Sequence, residues 1–267
     1  MTSRRMFTTV GWTLATGIGV ILFSWPFFAP DASVAAVIAL ALGTFCALLL
    51  IELGSRSLDV RAFALLAALA SIDAGARALL VTGIGGFSPI FLLILCAGYV
   101  FGTRYGFLVG ASSLLVSAVV TGGIGPWLPY QLFAAGWVGA FAGVFARRGD
   151  HKPGWMDIAS LAGIGLIAGY GYGIAMDIWD WTYYQAAPGL GFHAGMPLTL
   201  ALHHFVRFYL TTSVVWDSFR AGGNALLVIV LGTPILIALG RLKAQMSARV
   251  NRVSEEVTTH PRAVSPS

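Results

Sequence analysis

The chain has 267 residues, of which 57% are hydrophobic and 10% charged, with a mean hydropathy of +0.82. Soluble domains carry roughly 25% charged residues, so this composition excludes a soluble enzyme, a disordered regulator and a nucleic-acid-binding domain. The net charge of +5 sits in short caps between apolar runs, where it suits anionic lipid headgroups. Long continuous apolar runs, in place of the weak alternation of barrel strands, predict an all-α integral membrane protein.

In chain order the apolar runs cover residues 8–28, 32–53, 60–81, 88–101, 105–120, 127–146 and 158–178, followed by a long region over 198–239. A spanning helix needs about 20 apolar residues. The runs at 88–101 and 105–120 are shorter, as expected of spans packed inside a bundle. Residues 3–7, Ser-Arg-Arg-Met-Phe, resemble a twin-arginine export signal. No small-x-small cleavage site follows near 25–29 and a second apolar run begins at once, so the first run is read as a retained span. The last region is too long for one crossing. Residues 198–212 are read as an outer helix lying at the membrane interface or packed over the bundle, and the final span begins near Ser213 or Gly222.

The basic residues alternate between ends. Arg4 and Arg5 precede the first run, Arg56 and Arg61 follow the second, and Arg104 follows the fourth. Arg147, Arg148 and Lys152 follow the sixth, and Arg241, Lys243, Arg249, Arg252 and Arg262 follow the last. These ends hold 13 of the 16 basic residues, and the opposite connections hold none of the other three. The positive-inside rule then predicts eight crossings with both termini cytoplasmic, in a plasma membrane.

The other side is rich in aromatic and amide groups: Trp127, Tyr130 and Gln131, then Asp177, Trp179 and Trp181. Two readings fit. One is an interfacial belt of amphipathic rings, and the other is a pocket for a planar organic ligand. Glycine and proline across 122–131 suggest a shaped loop. Asp73 and Arg77 are four apart on one helical face and can pair or meet a ligand. Arg207, Asp217 and Arg220 can pair with one another, or Arg207 can face an outer cavity. Small residues at four-residue spacing mark close helix packing: Ala70, Ala74 and Ala78, then Ala135, Gly139 and Gly143, then Gly165, Gly169 and Gly173.

Walker, HExxH and GxSxG motifs do not occur in the sequence. The pattern is that of a binder or transporter part and not of an enzyme, and it points to no cofactor or metal.

Residues 101–110 (FGTRYGFLVG), 121–131 (TGGIGPWLPYQ) and 133–139 (FAAGWVG), with Phe208–Ser213, Trp216–Asp217 and Gly223–Ala225, resemble the substrate-binding S components of energy-coupling factor transporters. The resemblance implies a six-helix S-component-like core over 58–241. Two additional N-terminal helices (1–57) precede it, and a polar, disordered cytoplasmic tail (242–267) follows. It also implies capture of a vitamin-like molecule at the outer face, with a cobalamin-type ligand as first guess, for uptake driven with a T component and two ABC ATPase subunits. Ala64 and Ala68 stand at the spacing by which that family meets its T component. Trp127, Tyr130, Gln131, Asp177, Trp179 and Trp181 are the expected pocket residues, with Arg77 and Arg207 as charged candidates. The rivals are a stand-alone secondary transporter and a lipid-modifying membrane enzyme.

Overall fold

The structure, a computed structural model, describes residues 2–29, 33–54, 60–79, 89–146, 152–183 and 189–259. Among them the regular structure is helical throughout, with no strand. The elements are α1 (Thr2–Phe28), α2 (Val34–Gly54), α3 (Val60–Leu79), α4 (Ile90–Phe101), α5 (Thr103–Thr121), α6 (Leu128–Val144), α7 (Trp155–Tyr183), α8 (Leu198–Thr212) and α9 (Val214–Thr259). Five helices contain windows long and apolar enough to cross a membrane: in α2, α3, α5, α7 and α9. The apolar parts of α1 and α4 are shorter.

The core gathers around α4, whose residues from Ile90 to Val100 are nearly all buried. At about 1.5 Å per residue this helix is shorter than the bilayer's apolar thickness. It is enclosed by its neighbours and is not stretched across a membrane on its own. Gly102, at φ 95°, joins α4 to α5 through a single residue, a backbone conformation open in practice only to glycine. The resulting hairpin packs on α6 through glycine against glycine. A Cβ on Gly139 would strike the Gly106 carbonyl, and one on Gly98 or Gly106 would strike the Gly139 carbonyl. Gly143 meets the backbone of Gly102 and Thr103 in the same way. Lipid offers helices no hydrophobic reason to associate, so close backbone approach supplies the attraction instead. The sequence motifs over 101–110 and 133–139 are therefore used here to build this contact.

A second seam joins α7 to α9, which run in opposite directions. Gly165 faces Asn224, Gly169 faces Ala221, and Gly173 faces Asp217. The glycine stripe expected on α7 is thus a packing stripe. On α3 the expected stripe divides: Ala70 and Ala74 are buried, whereas Ala64, Ala68 and Ala78 are exposed.

Two ends can be told apart. At the basic end, Trp12 Nε1 donates to the buried Glu52 (2.5 Å), Arg104 lies 3.8 Å from the same carboxylate, and Lys243 Nζ donates to the Val100 carbonyl (2.6 Å). A recess of about 480 Å³ beside Lys152 and Tyr99 lies at this end. The opposite, aromatic end carries the α5–α6 turn, the end of α7, and α8. Helix α9 starts at Val214, and Leu198–Thr212 forms a separate helix, α8. Its Phe208 is buried, while Leu198, Leu202, Val206 and Leu210 form an exposed apolar row at four-residue spacing. Such a row suits a helix lying among lipids at the interface.

Three expectations are corrected. The shaped loop over 122–131 is a compact turn: α5 ends at Gly122, left-handed at φ 69°, and α6 begins at Leu128. Helix α7 runs past 178 to Tyr183, so Trp179, Asp180 and Trp181 belong to a helix and not to a loop. The tail expected to be disordered from 242 is helical to Thr259, because 242–259 is rich in Lys, Arg, Gln, Glu, Ala and Met, all strong helix formers.

Candidate functional site

The aromatic end is built by four helices. Trp127 and Tyr130 come from the start of α6, and Trp179 and Trp181 from the end of α7. Their rings meet: Trp127 and Trp179 centroids are 6.4 Å apart, and Tyr130 and Trp179 are 5.7 Å apart. Trp127 is 38% exposed, and its Nε1 donates to the Gly123 carbonyl (3.2 Å). Gly125 lacks a side chain where the Trp127 ring lies, which lets the turn fold over the indole. Gln131 is half-buried in the first turn of α6.

Tyr130 and Trp181 hold the end together. Tyr130 is 1% exposed, and its hydroxyl accepts from Trp25 Nε1 at 2.9 Å. Trp181 donates to the Leu190 carbonyl (2.6 Å) and packs against Phe27, Phe192 and Phe205. Helix α1 therefore enters the cluster: Phe23 packs edge-on against Tyr130, and Gly19 seats the Phe133 and Trp137 rings. Tyr130→Phe leaves a buried indole N–H without this acceptor, at about 1–3 kcal/mol. Thermal unfolding in detergent should show a clearly lowered midpoint for Tyr130→Phe, while Trp127→Phe, at an exposed ring, stays close to wild type.

The charged groups lie on the other side of α7. The glycine stripe 165, 169, 173 reaches Asp177 by one more step of four. Asp177 Oδ1 accepts from the Ser213 hydroxyl at 2.7 Å. One rung below, the Asp217 carboxylate lies against Gly173 and pairs with Arg220. The Arg220 guanidinium stands 5.4 Å above the Tyr172 ring, a favourable placement for a cation. Tyr209 of α8 approaches from outside. Burial first, then the Asp217 and Asp177 carboxylates, push its hydroxyl up to about 12, so it stays protonated and able to donate.

Arg77 and Arg207 do not join this group by contact. The expected Asp73–Arg77 pair is not made. Ser113 donates to Asp73 Oδ2 (2.9 Å), and Arg77 donates to Ser117 (3.3 Å). Two serines one helical turn apart on the parallel helix α5 thus take one partner each. Arg207 is exposed, its guanidinium lying over Gly189, and Arg220 takes Asp217 instead.

The sequence reading named Asp177 and the aromatic rings, but not Ser213, Tyr209 or the α1 rings as site residues. Asp217 and Arg220 it saw only as a possible pair. The continuation of the glycine stripe into Asp177 was the available signal. Among the described residues, no three His, Cys, Asp or Glu side chains stand close enough to hold a metal ion. No protein-family model, curated protein or solved structure matches the chain.

Proposed function

We propose that this chain is the substrate-capturing S-type subunit of an ECF-type importer. It takes up a vitamin or related micronutrient, with a cobalamin-type ligand first in line, at the aromatic end, which faces outward. The observation that carries the reading is the group of Asp177, Ser213, Asp217 and Arg220. These residues are set into apolar helices at the same end of the bundle as the edge-on and tilted rings of Trp127, Tyr130 and Trp179. Charged side chains inside spanning helices are costly and mark ligand or ion sites, and apolar walls with a few fixed polar groups suit a small organic molecule. The basic end, with Arg104, Lys152 and Lys243, then lies in the cytoplasm, where the two ABC ATPases assemble. The T component packs along the exposed side of α3, where Ala64, Ala68, Gly75 and Ala78 leave room for another helix.

The test is binding by the full-length protein in detergent to a vitamin panel that includes cyanocobalamin, read by thermal shift and calorimetry. Saturable binding of one vitamin is expected, with loss of binding in Trp179→Ala. Folded protein that binds none would overturn the reading.

A second reading, a stand-alone secondary transporter, is favoured by Asp73. This residue is 1% exposed within α3, with Oδ1 unpartnered, as in the carboxylates that relay protons in transporters. Substrate flux into liposomes holding this chain alone would select that reading over the first.

A further inference from the structure

Between α6 and α7 the bundle leaves a groove of about 260 Å³, walled almost wholly by carbon. Small residues make the space: Ala134 on α6, Gly171 and Ala175 on α7. A Cβ on Gly171 would meet nothing within 4 Å. Rings line the rest, from Trp137 and Phe141 on α6 and Tyr172 on α7. These positions lie near the middle of their helices, so the groove opens on the apolar part of the bilayer and not on water. It occupies the face of α7 away from the glycine stripe that packs on α9. One turn nearer the aromatic end the same faces carry Tyr130 and Trp179, whose rings, 5.7 Å apart, bridge the two helices.

Two polar groups of this lining are unused. Tyr172 is 9% exposed, yet among the described residues its hydroxyl has no hydrogen-bond partner. Its ring is held by Phe91 at 4.8 Å and by the Arg220 guanidinium at 5.4 Å. The Trp137 indole N–H has no partner there either, although the ring packs on Phe23 and Phe133. Buried Tyr and Trp normally find a partner for their polar ends, and hydrocarbon offers none. No charged side chain lines the groove, so nothing in it suits an ion.

We propose that the α6–α7 groove binds a neutral, bicyclic lipophile that enters from the bilayer. A carbonyl or similar oxygen of the guest accepts from the Tyr172 hydroxyl, with the Trp137 N–H as second donor, and its rings lie among the aromatic walls. The volume is just under the usual range for small-molecule pockets, so the guest is compact: two fused rings fit and a corrin does not. The site is therefore separate from capture at the aromatic end and does not rest on that reading. An acyl chain would fill the same space but leave both donors unmet.

Matched probes test this on the full-length protein in detergent: 2,3-dimethyl-1,4-naphthoquinone against 2,3-dimethylnaphthalene, the same ring system without oxygen. Calorimetry with an empty-micelle blank removes partitioning, and native mass spectrometry reads what else is bound. Saturable one-to-one binding of the quinone is expected, with the hydrocarbon about tenfold weaker, the worth of a neutral hydrogen bond. Gly171→Leu sends a side chain into the groove and should abolish binding, while the unfolding midpoint holds or rises because leucine favours helix over glycine. Tyr172→Phe keeps the ring and its two neighbours. It should lower the quinone's affinity to that of the hydrocarbon at an unchanged midpoint, which a purely structural tyrosine would not do. Absence of saturable quinone binding overturns the site, and a co-purifying phospholipid lost in Gly171→Leu would then give the groove to an acyl chain. Equal affinity for the two probes, or a Tyr172→Phe variant that binds as well as wild type, overturns the hydrogen-bond assignment.

Discussion

Replacing Gly139 by leucine is expected to leave no folded protein, and replacing it by alanine to destabilise the bundle severely. The reason lies in what a side chain would meet. A Cβ at Gly139 lands on the carbonyl and Cα of Gly106, and the Gly139 carbonyl in turn occupies the places where Gly98 and Gly106 would carry theirs. None of these is the far end of a flexible side chain, so nothing can swing aside. Three helices must separate, and α4 is enclosed by the other two. Overpacking a core costs about 1–3 kcal/mol when neighbours can adjust; here backbone must move, so alanine should reach the upper end of that range and leucine exceed it. Gly163→Ala is the control. This glycine also lies within a helix, but a Cβ there meets nothing within 4 Å, and the gain in helix propensity makes the change neutral or slightly stabilising. Unfolding of both variants in detergent, followed by circular dichroism, decides the matter. A Gly139→Ala protein as stable as Gly163→Ala would show that α5 and α6 do not touch here.

This contact was legible in the sequence because small residues at four-residue spacing have one common cause in membranes, close helix approach. The stripes at 135, 139, 143 and at 165, 169, 173 both face backbone or a short side chain, as their spacing implies. The amphipathic α8 was legible for a similar reason: two crossings over 198–239 would break the charge asymmetry. Other features depend on partners that one helix cannot reveal. Asp73 and Arg77 have the spacing of an ion pair, yet serines 113 and 117 on α5 carry the same spacing and compete for both. The end of α7 reads as a loop because Asp180 and the tryptophans resemble an interfacial connection. It stays helical where Tyr130, Phe192 and Phe205 pack against those rings. The place of Trp25 against Tyr130 joins residues 105 apart in sequence, a distance over which local pattern says nothing.

Asp217→Ala is expected to cost about 3–5 kcal/mol of stability, the usual penalty when one partner of a buried ion pair is removed and the other is left charged. The Arg220 side chain is 18% exposed and that of Asp217 3%, so the stranded guanidinium has little water to turn to, and the Tyr172 ring beneath it replaces only part of the lost attraction. The sign of the effect is set by the stranded charge and not by the loss of the pair as such. The double variant Asp217→Ala/Arg220→Met therefore serves as the check. It removes both charges and fills the space with apolar atoms, a change that is often neutral for buried pairs, and it should recover most of the stability lost in Asp217→Ala. A double variant as unstable as the single one would mean that the carboxylate itself, resting on Gly173, holds α7 to α9.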